Sequence, residues 1–113
     1  MSNTATDLVV KVYGNKRVVT FKDIDHVHGR VEGTAARNFR ANRSRFVENI
    51  DYYRVLPSYY RKHFGYMDPR QTNSIIILTE SGYSCIVKSL RDETAWAIQH
   101  QMVNEYFRGG SYE

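Results

Sequence analysis

The segment GTAARNFRANRSRF, residues 33 to 46, places four arginines within nine positions and two phenylalanines seven positions apart. On a helix that advances about 100° per residue, Ala35 and the two phenylalanines fall within an arc of about 40°. Two of the arginines and Ser44 occupy a roughly opposite arc of about 60°. The spacing therefore predicts a helix, capped by Thr34 and running to about Phe46, with one face in the core and one cationic face.

The arginines of this helix have no acidic residues beside them. Residues 33–47 contain no Asp or Glu, and residues 30–45 hold five arginines against Glu32 alone, so the local charge of +4 equals that of the whole chain. A plain solvated face is the alternative, but a solvated helix usually places Glu four residues from Arg. We expect a polyanionic partner, because a DNA major groove accepts an α-helix and arginine suits bidentate contact with guanine or phosphate oxygens.

The residues before this helix predict a β-hairpin and a shorter helix. Within residues 7–19, β-branched residues alternate up to a Gly-Asn turn and resume after it, which is typical of two antiparallel strands. Thr20 with Asp23 predicts the N-cap and first turn of a helix that Gly29 ends. Two short helices joined by a turn of three or four residues form a helix-turn-helix candidate over residues 21–46.

The rest of the chain predicts a second sheet and two helices. Residues 51–78 are interpreted as a strand, a long polar and aromatic loop, and an apolar strand. Residues 82–107 predict two C-terminal helices, the second capped by Asp92, and residues 108–113 a tail or linker. The expected fold is one α+β domain over residues 1–113, with an N-terminal β-hairpin, a helix-turn-helix-like helix pair, a small antiparallel sheet and two C-terminal helices.

Composition is that of a globular cytosolic protein. The chain has 113 residues, 42% of them hydrophobic and 25% charged, which suffices for a core without disulfides. Its longest apolar run, residues 75–78, is far shorter than the roughly 20 residues that cross a bilayer, and the N-terminus lacks a signal-peptide pattern. The single Cys85 fits a reducing compartment. We expect a cytoplasmic, nucleoid-associated protein of a bacterial host, without membrane contact.

Two separated segments resemble a known family. The first is RVVTFKDIDHVHGRVEGTAARNFRANRSRFVENIDYYRV and the second LTESGYSCIVKSLRDETAWAIQHQMVNEYF. They are similar to the two signatures of the open-reading-frame-six branch of the KilA/Bro N-terminal superfamily, the amino-terminal domains of phage regulatory and antirepressor proteins.

This resemblance implies a small α+β DNA-binding domain, usually followed by a variable carboxy-terminal part. The chain is then expected to be a lone domain or a fragment, with Gly109-Gly110 suited to a linker. The resemblance also implies a structural turn at Glu80-Ser81-Gly82. Its implied DNA-facing residues are Arg37, Asn38, Arg40, Asn42 and Arg43.

Metal binding and catalysis have little support in the residue pattern. The four histidines and the cysteine match no common zinc spacing, so we expect neither metal nor cofactor, and we place His28 in a cap or hydrogen bond near its helix end. Asp23 and Asp25 point to different helix faces and suit a positive helix end. Neither Ser81 nor Cys85 lies in a nucleophile motif. We expect no enzymatic activity.

Aromatic residues give two further expectations. Tyrosines interleave with basic residues after the first middle strand, a mixture that can stack on single-stranded bases, although such tyrosines are more often half-buried packing. We assign Tyr53 and Tyr60 to the core, and Arg61 and Lys62 to phosphate contacts or a mobile wing. The stripe that begins at Trp96 is predicted to be core, with a dimer interface as the alternative.

These observations favour sequence-specific binding of double-stranded DNA by a phage or prophage transcription regulator. The first alternative is an antirepressor-type module that binds a repressor or host regulatory protein, and the second is single-stranded DNA or RNA binding through the Tyr/Arg loop. A homodimer is compatible with the pattern, because one domain with about five phosphate contacts binds weakly at physiological salt. The predicted DNA-binding residues are Arg30, Thr34, Arg37, Asn38, Arg40, Asn42, Arg43, Ser44, Arg45, Arg61 and Lys62.

Overall fold

The computed structural model describes residues 8–91 and 93–109 and has an α+β fold. Within these residues the strands are β1 (Lys11–Tyr13), β2 (Lys16–Val18), β3 (Tyr52–Val55) and β4 (Ile75–Leu78). The α-helices are α1 (Phe21–Val27), α2 (Thr34–Ala41), α3 (Pro57–His63), α4 (Glu80–Leu90) and α5 (Glu93–Gln101). A 3-10 turn, Arg43–Arg45, follows α2, and a π-helical segment, Met102–Phe107, continues α5. The predicted α+β class and its order of hairpin, helices, second sheet and C-terminal helices are confirmed.

Local signals account for the first elements. Strands β1 and β2 pair antiparallel, and Gly14 and Asn15 adopt φ values of 56° and 69°, the left-handed conformation that a two-residue hairpin turn needs. Thr20 caps α1 through a capping box with Asp23, whose carboxylate accepts the Thr20 N–H. Gly29, with a φ of 63°, follows the end of the helix. The predicted hairpin and the predicted limits of α1 are therefore confirmed.

The second sheet is joined to the hairpin by backbone hydrogen bonds. Strands β3 and β4 pair antiparallel, with Tyr52 opposite Leu78. The Val19 N–H donates to the Leu78 carbonyl at 2.9 Å, and the Leu78 N–H donates back to Val19 at 2.8 Å. The hairpin is thereby held against β4, and both sheets contribute to a shared core.

Two hydrophobic clusters stabilise the fold. The larger one gathers buried side chains of α1, α2, α4 and the C-terminal helices around Phe39 and Tyr83. The smaller one is formed by Val18, Val55 and Ile77, with tyrosines of β3 and α3 packed against it. Tyr53 and Tyr60 are among these partly buried side chains, so they lie at the edge of the core.

Residues 57–63 form a helix where the sequence pattern predicts a loop. Pro57 is the first residue of α3, a position where proline is favoured because its missing N–H would be unpaired anyway. The Tyr60 and Phe64 rings, four residues apart, pack edge to face at 5.4 Å. The tyrosine-rich stretch is therefore a helix whose inner side covers the smaller cluster, and the loop is confined to the residues after it.

The Glu80-Ser81-Gly82 segment begins α4 and is not a separate turn. Thr79 is the N-cap, and its hydroxyl donates to the Ile50 carbonyl at 2.8 Å. A Cβ on Gly82 would overlap the carbonyl group of Asp51, lying 2.9 Å from the carbonyl carbon. Glycine is needed here because α4 starts directly against the chain that enters β3.

The predicted core position of Trp96 is wrong, since this side chain is 78% exposed. The buried residues of this C-terminal stretch are Ala95, Met102 and Tyr106, so the inner stripe begins one residue earlier than the sequence pattern suggests. Ala95 belongs to the larger hydrophobic cluster, so this side of α5 faces the core. The predicted cap Asp92 lies outside the described residues, as do residues 110–113 of the predicted tail. No helix in the described part of the chain is long and apolar enough to cross a membrane.

Candidate nucleic-acid interface

The N-terminus of α2 is held by the buried carboxylate of Asp25. Its Oδ2 accepts the Gly33 N–H at 2.8 Å and its Oδ1 accepts the Ala35 N–H at 2.9 Å. Gly33, with a φ of 99°, is the N-cap residue, so the predicted cap Thr34 is wrong. The Thr34 hydroxyl instead donates to the Val31 carbonyl at 2.6 Å. A carboxylate at this end is favoured by the helix dipole.

The inner face of α2 is fixed by aromatic packing. Ala35 and Phe39 are its buried residues. The Phe39 ring contacts those of Phe21, Phe46 and Tyr52 at centroid distances of 5.4, 4.8 and 5.1 Å. Such tilted and edge-to-face contacts are favourable geometries for aromatic pairs. The Phe39 ring therefore packs α2 against both α1 and β3.

The helix ends earlier than predicted, at Ala41. Asn42 leaves helical geometry with φ −117° and ψ 27°, and its side-chain amide donates to the Asn38 carbonyl at 3.0 Å and to the Ser89 hydroxyl at 3.4 Å. Ser44 therefore does not lie on α2. Phe46 is still buried, but from an extended backbone. The connection between α1 and α2, residues 28–33, is also longer than the predicted three or four residues.

The four arginines that follow Ala36 remain on the surface. All four are exposed, and the ion pairs among the described residues involve other cations. An α-helix such as α2 is about 10–12 Å in diameter with its side chains, close to the roughly 12 Å width of a DNA major groove. We call these side chains the arginine row: Arg37, Arg40, Arg43 and Arg45.

Two members of the arginine row are oriented by neighbouring groups. The Arg43 guanidinium lies over the Tyr52 ring at 4.9 Å and the Phe39 ring at 5.5 Å, a cation–π geometry that restricts its motion. The Arg37 guanidinium donates to the Thr34 hydroxyl at 3.4 Å. Both keep their exposure, so part of the entropy cost of ordering them for a ligand is already met.

Two of the other predicted residues, Arg30 and Arg61, have internal partners. Arg30 donates to the Leu90 carbonyl at 2.9 Å, at the C-terminal end of α4. Arg61, on α3, donates to the carbonyls of Asp68 and Gln71 at 2.9 and 3.2 Å, which organises the following loop. Lys62 is exposed on the same helix. Arg30 thus connects α4 to the α1–α2 connection, apart from the arginine row.

Grooves flank α2 on both sides. One, of about 430 Å³, is lined by Ala36, Arg40 and residues of α3 and β4, including Tyr60. Burial, and secondly the charge of Asp23, raises the pKa of Tyr60. The other groove, of about 530 Å³, separates α2 and the 3-10 turn from α4. It brings in Lys88 and Arg91, two cations that the sequence interpretation does not include because they lie far along the chain.

The described histidines do not form a metal centre. No group of three or more His, Cys, Asp and Glu side chains among the described residues is placed to hold a metal ion. His28 ends α1, and its Nε2 shares a hydrogen bond of 2.7 Å with the Tyr83 hydroxyl. Burial raises the pKa of Tyr83. His28 therefore connects the end of α1 to α4, in keeping with its predicted place near a helix end.

The comparison with known families agrees with this geometry. A family model described as the ORF6N domain matches residues 8–89. The chain belongs to the ORF6N domain family. It is a phage-type regulatory domain, and the resemblance seen in the sequence is confirmed. The matched residues run from before β1 to near the end of α4, so both sheets, α2 and the arginine row lie within the ORF6N domain. No curated protein and no solved structure matched the chain.

Proposed function

We propose that this ORF6N domain binds double-stranded DNA as the recognition domain of a phage or prophage transcription regulator, with α2 in the major groove. The supporting observation is the arginine row: four exposed guanidinium groups within nine residues, without a carboxylate partner among the described residues. A cationic surface left unneutralised in this way is stabilised by a polyanion.

The geometry of α2 favours a rigid, closely approaching partner. Arg37 and Arg40 project from the side opposite Ala35 and Phe39, which hold the helix to the core. Ala41 is exposed and Ala36 half-buried, so small side chains border the arginines and let a ligand come close to the helix backbone. A duplex presents one negative charge per about 1.7 Å of its axis, so the exposed side of α2 would meet several phosphates at once.

The double variant Arg37→Ala plus Arg40→Ala tests the proposal. If about five cations each neutralise one phosphate, the slope of log affinity against log salt is about −4.5 for the wild-type domain. The variant is expected to bind duplex DNA at least about tenfold more weakly. Its slope of log affinity against log salt should be less negative than that of the wild type by about 2. Both side chains are exposed, so its circular dichroism spectrum should match that of the wild type.

A matched control removes two cations elsewhere. Lys16 on β2 and Arg108 after the π-helical segment both border a depression away from α2. The variant Lys16→Ala plus Arg108→Ala has the same net charge as the test variant. It also breaks the exposed ion pair of Arg108 with Glu80 at 3.0 Å, and it measures the effect of positive charge lost away from α2. Equal duplex affinities for the two double variants would contradict the placement of DNA on α2. A wild-type domain that binds no duplex would refute the proposed function.

A second candidate function is protein binding of the antirepressor type. The exposed Trp96 favours it, because tryptophan is among the residues most often found at the centres of protein interfaces. A host or phage regulatory protein retained by the wild-type domain after nuclease treatment, but not by Trp96→Ala, would support this function. Loss of all retained proteins on nuclease treatment would leave DNA as the partner.

A further inference from the structure

The groove between α2 and α4 is a basic cleft separate from the outward side of α2. It is lined by polar and cationic side chains from the end of α2, the 3-10 turn and the second half of α4. Arg45, Lys88 and Arg91 are its cations, all three exposed. No Asp or Glu lines it, and none of the ion pairs among the described residues includes these cations. The cleft concentrates positive charge contributed by segments more than 40 residues apart.

Direct contacts define the floor of this cleft. The Asn42 amide donates to the Ser89 hydroxyl at 3.4 Å, which joins the end of α2 to α4. Cys85, Lys88 and Ser89 are three and four residues apart and share one face of α4. The pKa of the half-buried Cys85 thiol is raised, chiefly by burial and then by Asp51, while Lys88 and Arg45 act in the opposite direction. Cations from both sides of the cleft thus lie close to this thiol.

The backbone at Arg91 supports a role for its side chain. Arg91 ends α4 in the left-handed conformation, with φ 57° and ψ 40°, a position where glycine or asparagine is usual. A Cβ makes this conformation unfavourable, so arginine at this site is a departure from local preference. Such departures are often retained where the side chain contacts a ligand.

We propose that the cleft is a second phosphate-binding site, in which Arg45, Lys88 and Arg91 hold the phosphodiester backbone of the duplex whose major groove receives α2. This inference rests on the proposed function and adds residues of α4 to the DNA contacts. The guanidinium and ammonium groups donate to phosphate oxygens, and the side-chain amide of Asn38 and the hydroxyl of Ser89 add neutral donors. The cleft fixes the orientation of the duplex relative to α2 and contributes affinity independent of base sequence.

A random-sequence duplex of about 20 base pairs is the probe, because phosphate contacts do not depend on sequence. The variant Lys88→Gln plus Arg91→Gln is compared with the control Lys16→Gln plus Arg108→Gln. If the inference holds, the slope of log affinity against log salt is less negative by about 2 in the cleft variant than in the wild type. In the control this slope is unchanged. The variant Arg91→Gly relieves the left-handed strain, so it should be at least as stable as the wild type. Its slope should still be less negative than that of the wild type by about 1.

The chain contains a natural reporter for this test. Trp96 is its single tryptophan, is 78% exposed, and lines a depression that also includes Lys88 and Arg91. Duplex binding should therefore change Trp96 fluorescence and protect it from acrylamide quenching in the wild type and the control, and less so in the cleft variant.

The outcomes separate the two proposals. A cleft variant with the salt slope of the control, in a wild-type background that binds duplex, would overturn the inference and leave the proposed function standing. Unchanged Trp96 fluorescence at saturating duplex would overturn it as well. If the wild-type domain binds no duplex, both proposals are wrong.

Discussion

Removal of the Asp25 carboxylate is expected to release the N-terminus of α2. Asp25→Ala leaves the N–H groups of Gly33 and Ala35 without their acceptor, and Asp25 is only 5% exposed. A hydrogen bond to a charged group contributes about 1.5–3 kcal/mol, and loss of an N-cap side chain costs about 1 kcal/mol. Taking the fully buried Ala35 N–H as one charged bond and the half-buried Gly33 N–H as one cap gives about 3 kcal/mol, or a decrease in Tm of about 10 to 20 °C.

Urea unfolding followed by circular dichroism measures this change, with Glu32→Ala as the matched control. Glu32 precedes Gly33 and carries the same charge as Asp25, and among the described residues its ion pair is an exposed one with Lys22 at 3.8 Å. Its removal should cost less than about 1 kcal/mol. A free energy of unfolding for Asp25→Ala within about 0.5 kcal/mol of that for Glu32→Ala would show that the two N–H groups do not depend on this carboxylate.

Three further changes test the packing. Gly82→Ala should lower the free energy of unfolding by about 3 kcal/mol, because the new Cβ overlaps the Asp51 carbonyl; a loss under about 1 kcal/mol in urea unfolding would contradict this close contact. Burial chiefly raises the pKa of Tyr106 from 10.0 to about 12, so the stability that the neutral phenol contributes is complete below pH 10 and is lost as pH rises through 12. Calorimetric Tm should therefore fall less steeply over this range in Tyr106→Phe, and parallel profiles would be inconsistent with the shift. Trp96→Ala should lower the free energy of unfolding by less than about 1 kcal/mol, against about 3–5 kcal/mol for a buried tryptophan. A decrease above about 2 kcal/mol in urea unfolding would contradict the exposed position of this side chain.

Elements that depend on neighbours in the chain were predictable. The Gly14-Asn15 turn needs two residues that tolerate positive φ, and the cap of α1 needs Thr20 and Asp23 three residues apart. These interactions form within a few residues, so the sequence contains all of their parts.

The helix α3 was missed although its signals were present. Pro57 at the first position and the four-residue spacing of Tyr60 and Phe64 are both helical features. They were outweighed by the density of polar and aromatic residues, which is equally typical of a long loop. Which interpretation holds depends on the smaller hydrophobic cluster, since its surface gives the aromatic side of α3 a place to pack.

The sequence by itself determined that Thr34–Ala41 carries Ala35 and Phe39 on a buried side and two arginines on the opposite side, because helical periodicity is a property of neighbouring residues. Only the tertiary structure decided where α2 ends, since Asn42 also bonds to Ser89, 47 positions away. The same holds for the exposure of Trp96, which follows from Ala95 facing the core, and for the cleft that places Lys88 beside the arginine row. Burial and shared charge depend on contacts between distant segments, and those contacts exist only once the core has formed.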